Sequence, residues 1–324
     1  IILFAGVKLA RYGDAISEKT GFSRAWIGLV LLAAITSVPE LVTGVSAVAL
    51  VKLPDLAIGN LLGSCIFNLA ILAVLDVLYR PAPLLSRVGT GHLLPAGIVI
   101  LLVSLAAGSI LAGESFSGLS LGWVGIPSII IFLFYVLAIR QMFRYERQQP
   151  QPVETIPPQY DGFDNKTVYL RFTLAALAIT GAGIWLAFIG DEIATTYGWS
   201  ASFVGSLFLA ITTSMPELVV TIAAVRLGAL DMALADILGS NMFNIAIIFF
   251  VDLFYWQGSI LSKVSNDHII LAVVTIIMTL IVIGGIRFRQ KRKTFKFISW
   301  YSVALIGLYL LGFYIMFSSG IGSG

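Results

Sequence analysis

The chain has 324 residues, 58% hydrophobic and 11% charged, with a formal net charge of +3. Soluble domains run to about 45–50% apolar and about 25% charged residues, so a water-soluble globule is excluded. No basic block interleaves with aromatics, which excludes a nucleic-acid-binding protein, and the single cysteine, Cys65, excludes an intramolecular disulfide.

In chain order, apolar runs of about 18 residues or more predict membrane helices over 1–16, 26–50, 54–79, 92–112, 122–141, 168–190, 201–226, 231–255, 268–287 and 297–318. The short alternating segments of a transmembrane β-barrel are absent. The first run opens at Ile1 inside apolar sequence, without the basic region and cleavage site of a signal peptide, so a first helix lacking its beginning is expected. The only long polar stretch, "RYERQQPQPVETIPPQYDGFDNK" from Arg144, is rich in proline and glutamine and reads as a connection. This divides the chain into a five-helix unit over 1–143, a linker over 144–167 and a second five-helix unit over 168–324.

Loop charges orient the helices. With the amino terminus outside, the inner ends hold Arg11, Lys19, Arg24, Arg80, Arg87, Arg140, Arg144, Arg147, Lys166, Arg171, Arg226, the "RFRQKRK" run from Arg287, and Lys296. The outer loops hold only Lys52 and Lys263, and Lys8 falls within the first helix. The expectation is an integral protein of the cell (plasma or inner) membrane with both termini outside and a cytoplasmic central loop. The run from Arg287 is also suited to anionic lipid.

The two units repeat one another. Asp14 and Asp191, Gly21 and Gly198, Ser23 and Ser200, Pro39 and Pro216, and Glu40 and Glu217 are each 177 positions apart. One residue is then lost, and Asp55 pairs with Asp231, Gly63 with Gly239, Ser64 with Ser240, Asn68 with Asn244, Asp76 with Asp252, and His92 with His268. Five is odd, so the second copy enters the membrane from the opposite side. The predicted fold class is an all-α polytopic membrane protein of ten transmembrane helices in two inverted-topology five-helix repeats, an architecture of secondary transporters.

Each repeat carries polar groups inside its apolar runs, and ionisable residues there are functional by default. On a helix, Thr36, Ser37 and Glu40 place both hydroxyls beside the carboxylate, as do Thr213, Ser214 and Glu217. Pro39 and Pro216 lack an amide hydrogen, which predicts freed carbonyls at Ile35 and Thr212. Asn60, Ser64 and Asn68 recur every four residues, as do Asp236, Ser240 and Asn244, while Gly63 and Gly239 permit close helix approach. Together these are hard oxygen donors. Calcium takes six to eight oxygens at about 2.3–2.6 Å, and sodium is also hard. Manganese and magnesium are compatible, whereas zinc, copper and iron favour histidine or cysteine.

The phrases "TSVPEL" and "TSMPEL", followed by "GSCIFN" and "GSNMFN", resemble the α-repeats of the sodium/calcium exchanger family within the cation/calcium antiporter superfamily. The resemblance covers nearly all ten predicted helices, with α-repeat motifs at 33–68 and 210–244. It implies antiport of calcium against sodium by alternating access, through sites lined by the second, third, seventh and eighth helices. These ions would be cargo, with no cofactor. By motif, Glu40 and Glu217 would be central ligands, Thr36, Ser37, Ser64, Thr213, Ser214 and Ser240 would supply hydroxyls, and Asn68 and Asn244 would flank them. The carbonyls of Ala33 and Ala210 match family sodium ligands.

Four positions depart from the family pattern. Ile35 and Thr212 stand where glycine is usual, and Cys65 replaces the asparagine of "GSN". Asn244 stands where better-known microbial sodium/calcium exchangers have aspartate and proton/calcium exchangers do not. A calcium/proton antiporter, with protons on the glutamates, is therefore the second reading, and a cation channel the third. Asp236, opposite Asn60 in the repeat, reads as a third acidic group for sodium or protons, or as a residue near the helix end facing water or a polar partner. Asp76 and Asp252 lie near the far ends of their helices and read as structural. Asp55 and Asp231 read as helix-start carboxylates, and His92 and His268 also sit at helix starts. No nucleophile–base set or phosphate loop is present, which argues against an enzyme.

Overall fold

The computed structural model describes residues 1–113, 119–148, 160, 164–197, 204–295 and 297–321. Most of the predicted linker lies outside the described residues, as do Gly198, Ser200 and Lys296. The described residues are helical apart from short connections, one β-hairpin and an isolated bridge. The helices are α1 (Ile2–Thr20), α2 (Arg24–Val51), α3 (Pro54–Leu78), α4 (Leu93–Ala112), α5 (Ile126–Gln148), α6 (Asn165–Tyr197), α7 (Leu207–Thr213 with Met215–Arg226), α8 (Leu230–Phe254), α9 (His268–Phe288) and α10 (Trp300–Ile321). By length and composition seven are fit to cross a membrane, or eight if α7, bent by 44°, is one span. The chain is a polytopic helical membrane protein.

The predicted helix at 122 begins late. Residues ahead of it form a hairpin of β1 (Ser120–Leu121) and β2 (Val124–Gly125), turned at Gly122 with φ 68°. Gly125 donates its N–H to Asp252 at 2.7 Å, and a Cβ there would lie 2.2 Å from Ser259 Oγ. That tie holds the backbone extended, so α5 starts at Ile126.

The central helices α3 and α8 are the most buried, at 72% of their apolar windows. Each packs against the interrupted helix of the opposite half of the chain, α3 on the first part of α7 and α8 on the first part of α2. The approach of α8 to α2 brings backbone to backbone. A Cβ on Gly28 would lie 2.3 Å from the Met232 carbonyl oxygen, and one on Gly239 would lie 2.2 Å from that of Leu29. To one side α1 pairs with α6; α4 pairs with α9, and α10 lies on α3 and α9.

Both interrupted helices break at the residue before the proline dipeptide. Ser37 sits at φ −89°, ψ 8°, and Ser214 at φ −87°, ψ 10°. Pro39 and Pro216 each occupy the first turn of a new segment, Val38–Ser46 and Met215–Arg226, where no amide hydrogen is needed. One expectation is corrected here. The Ile35 carbonyl is not loose, because Thr180 of α6 donates its hydroxyl to it at 3.3 Å.

The end carboxylates tie loops to helices. Asp76, fully buried, accepts from the Leu84 amide at 2.9 Å, the Ser299 amide at 2.9 Å, the Tyr301 hydroxyl at 2.6 Å and the Ser302 hydroxyl at 3.0 Å. Asp252 likewise gathers the Gly125 and Ile260 amides and the Ser128 hydroxyl. Asp76→Ala is expected to cost about 3 kcal/mol or more, since each orphaned buried donor forfeits about 1–3 kcal/mol. A lower melting temperature in detergent would show it, with a smaller fall for Asp76→Asn, which keeps an acceptor.

Asp55 and Asp231 stand in the first turns of α3 and α8, as expected, with their oxygens turned to loop donors. Asp55 accepts the Ser265 amide at 2.7 Å with His268 Nε2 at 2.9 Å, and Asp231 accepts the Gly89 amide at 2.7 Å with His92 Nε2 at 2.8 Å. Loop donors from the opposite half of the chain take these oxygens.

Candidate cation site

Glu40 and Glu217 each stand third in the new segment that follows a break. There the free amides and positive dipole end of a helix favour a carboxylate, even far from water. Both side chains are fully buried. Each is held by a serine at the break of the other interrupted helix: Ser214 donates to Glu40 Oε1 at 2.8 Å, and Ser37 to Glu217 Oε1 at 3.0 Å. Ser64 of α3 adds a third contact, donating to Glu40 Oε1 at 3.3 Å.

Hydroxyls extend the cluster across the same boundary. Ser64 and Thr213 oxygens lie 3.4 Å apart, and those of Thr36 and Ser240 3.5 Å apart. Thr213 donates to Asn60 Oδ1 at 3.1 Å and to the Leu209 carbonyl at 2.8 Å. The Ala33 and Ala210 carbonyls, one turn before the breaks, accept the Ser37 and Ser214 amides at 3.1 Å each. Asn68 donates to Asn241 Oδ1 at 3.1 Å, and Asn241 donates to the Cys65 carbonyl at 3.1 Å.

Several buried atoms have no protein partner: Glu40 Oε2, Glu217 Oε2, Asn68 Oδ1 and both amide atoms of Asn244. Each glutamate is thus tethered through one oxygen and presents the other. Two carboxylates, four serine and two threonine hydroxyls and amide oxygens form a hard donor set, suited to a calcium-like or sodium-like ion.

Asp236 is fully buried, with neither carboxylate oxygen hydrogen-bonded, so it does not face water at a helix end. Yet no three His, Cys, Asp or Glu among the described residues converge as a metal cluster. Asp236 therefore forms no three-carboxylate cluster with Glu40 and Glu217. Its counterpart Asn60 accepts from Thr213, whereas Thr36 turns to Ala33 and Ser240 instead. Asn241 was not singled out from sequence. Its only signal was that Cys65 holds the equivalent place in the first repeat.

The chain matches the family described as sodium/calcium exchanger protein over residues 1–140 and 167–318. It is 28% identical over 282 residues to the inner membrane protein YrbG of Escherichia coli (strain K12), covering 87% of this chain and 85% of that one. It is 24% identical over 306 residues to the sodium/calcium exchanger MaX1 of Methanosarcina acetivorans, covering 84% of this chain and 85% of that protein. Its fold resembles that of the sodium-calcium exchanger NCX_Mj soaked with 100 mM Na+ and 10 mM Sr2+, with a TM-score of 0.70 at 20% identity over 96% of this chain and 93% of that one. With Glu40 and Glu217 inside the matched residues and at one buried site, the chain belongs to the sodium/calcium exchanger family, a family of membrane transporters and not of enzymes.

Proposed function

We propose that the protein exchanges calcium for sodium by alternating access at the site around Glu40 and Glu217. The observation that carries this reading is the reciprocal tether, Ser214 to Glu40 and Ser37 to Glu217. It makes one site from both halves of the chain, as expected for inverted repeats meeting near the membrane midplane. Glu40, Glu217, Thr36, Ser37, Thr213, Ser214, Ser64 and Ser240 form the inner set. Asn68, Asn244 and the carbonyls of Ala33 and Ala210 complete it as one or the other ion binds. The ten helices serve as ten spans, five in each inverted repeat, with both termini outside and the linker cytoplasmic. The matching breaks at Ser37 and Ser214 and the basic residues near the α5 and α9 ends support that arrangement.

Two unneutralised carboxylates in the membrane interior are unfavourable. One calcium, or two or more sodium ions, cancels both charges and permits reorientation, whereas the empty charged state resists it. Competition for the same oxygens then yields exchange and not leak. Asp236, buried and unpaired, supplies a further negative charge that favours sodium loading.

Calcium uptake into proteoliposomes tests the reading. An opposing sodium gradient is expected to drive uptake, and a pH gradient alone is not. Uptake driven by pH without sodium would instead mean proton antiport, and calcium current without countertransport would mean a channel. In the same assay Asp236→Asn is expected to raise the sodium concentration for half-maximal exchange about tenfold, the effect of about 1.4 kcal/mol. Unchanged sodium dependence would remove Asp236 from the mechanism.

A further inference from the structure

Away from the cation site, a cavity of about 440 Å³ opens between α1 and α6. Its wall is of two kinds. Lys8 and Arg171 bring two positive charges, and the Tyr12 hydroxyl accepts from Arg171 at 3.3 Å. Phe4, Leu174 and Ala178 make the rest apolar, with Phe4 72% and Leu174 56% exposed on the outside of the bundle. Among the described residues, none that lines the cavity is acidic, and neither cation forms an ion pair. The Lys8 ammonium lies 5.5 Å from the centre of the Phe4 ring.

The depth of the cavity identifies what fits. Tyr12 and Arg171 lie near the level of a polar network in which Asp14 accepts from Arg24 at 2.5 Å and from Tyr160 at 3.2 Å. That network marks the end of the bundle where α1 finishes and α6 begins. Lys8 is one helical turn deeper, about 5.4 Å, within reach of the same level by extending its methylene stem. Two unpaired cations at a headgroup level, above an apolar groove open to lipid, match an anionic phospholipid in both charge and shape. A free anion would use the charges but leave the groove unfilled.

We infer that this cavity binds an anionic phospholipid, its phosphate between Lys8 and Arg171 and an acyl chain along Phe4, Leu174 and Ala178. The lipid joins α1 to α6, the two helices that lean on the breaks of the cation site. A Cβ on Gly183 of α6 would lie 2.7 Å from Pro39 and 3.2 Å from Pro216, and one on Gly6 of α1 2.7 Å from Val219. The inference does not depend on which ions are exchanged.

Native mass spectrometry of the detergent-purified full chain, with equal phosphatidylglycerol and phosphatidylcholine, provides the test. The wild type is expected to retain phosphatidylglycerol about tenfold over phosphatidylcholine, as two surface-level cations allow. Lys8→Gln with Arg171→Gln should abolish the preference, and Lys8→Arg with Arg171→Lys should keep it. Leu174→Trp, which fills the groove and leaves the charges, should lower phosphatidylglycerol retention. Arg144→Gln with Arg147→Gln, a cationic patch elsewhere on α5, should leave it unchanged. Undiminished preference in the Lys8 and Arg171 double glutamine variant, or undiminished retention in Leu174→Trp, overturns the inference. Displacement of the lipid by inorganic phosphate at equal concentration also overturns it, since the site would then hold a bare anion.

Discussion

Glu40→Gln and Glu217→Gln are each expected to reduce sodium-driven calcium uptake by about 100-fold or more. A cation deprived of one buried carboxylate loses about 3–5 kcal/mol of interaction, which is at least about 100-fold in affinity. The amide still accepts from Ser214 or Ser37, so the tether across the site survives. Removing a buried charge whose second oxygen has no protein partner also relieves an unfavourable burial. The glutamine variants should therefore melt at or above the wild-type temperature in cation-free buffer while failing to transport. Uptake within about threefold of wild type would place the ions elsewhere, since that corresponds to well under 1 kcal/mol of lost interaction. Calcium should stabilise the wild type in a thermal scan and leave either variant unmoved, because a ligand stabilises only the state that binds it.

Gly239→Ala is the change expected to damage the fold most. Its added methyl would meet the Leu29 carbonyl oxygen at 2.2 Å and the Ala33 Cβ at 2.9 Å. A backbone oxygen cannot rotate away, so α8 must move off α2. Overpacking costs about 1–3 kcal/mol where side chains can yield, and here the upper end or more is expected. Gly28→Ala, facing the Met232 carbonyl oxygen at 2.3 Å, should behave alike. Gly97→Ala and Gly108→Ala, with nothing within 4 Å, serve as controls and should be neutral or slightly stabilising. The yield of monodisperse protein on size-exclusion chromatography separates the outcomes. Normal yield and melting for Gly239→Ala would mean that the α2–α8 contact is looser than described. Because Ser240 follows Gly239 directly, a partly tolerated variant should also show weakened calcium stabilisation.

Much of this protein can be read along the chain. Long apolar runs mark helices because the bilayer demands that backbone polar groups be satisfied within each segment. Paired motifs mark the family, and glutamates within such runs mark the candidate site, because an ionisable group there is too unfavourable to keep without a task. The proline was legible as a break, though not as the first turn of a new segment. Its freed carbonyl was legible as well, but not the Thr180 hydroxyl that takes it up. Residue 122 read as helix because the hairpin that displaces it depends on Asp252 and Ser259, which are far away in sequence.

By itself the sequence determined what is periodic or local: membrane helices, their breaks, the donor types and the family. Only the tertiary structure decided the partners. Ser37 meets Glu217, Ser214 meets Glu40, His268 meets Asp55 and Asn68 meets Asn241 across separations of 180, 174, 213 and 173 residues. Nothing in the spacing of a helix encodes such pairs. They arise because helices of the two halves meet, α2 with α7, α3 with α8 and α3 with α9, and buried polar groups must then find one another where water cannot serve them.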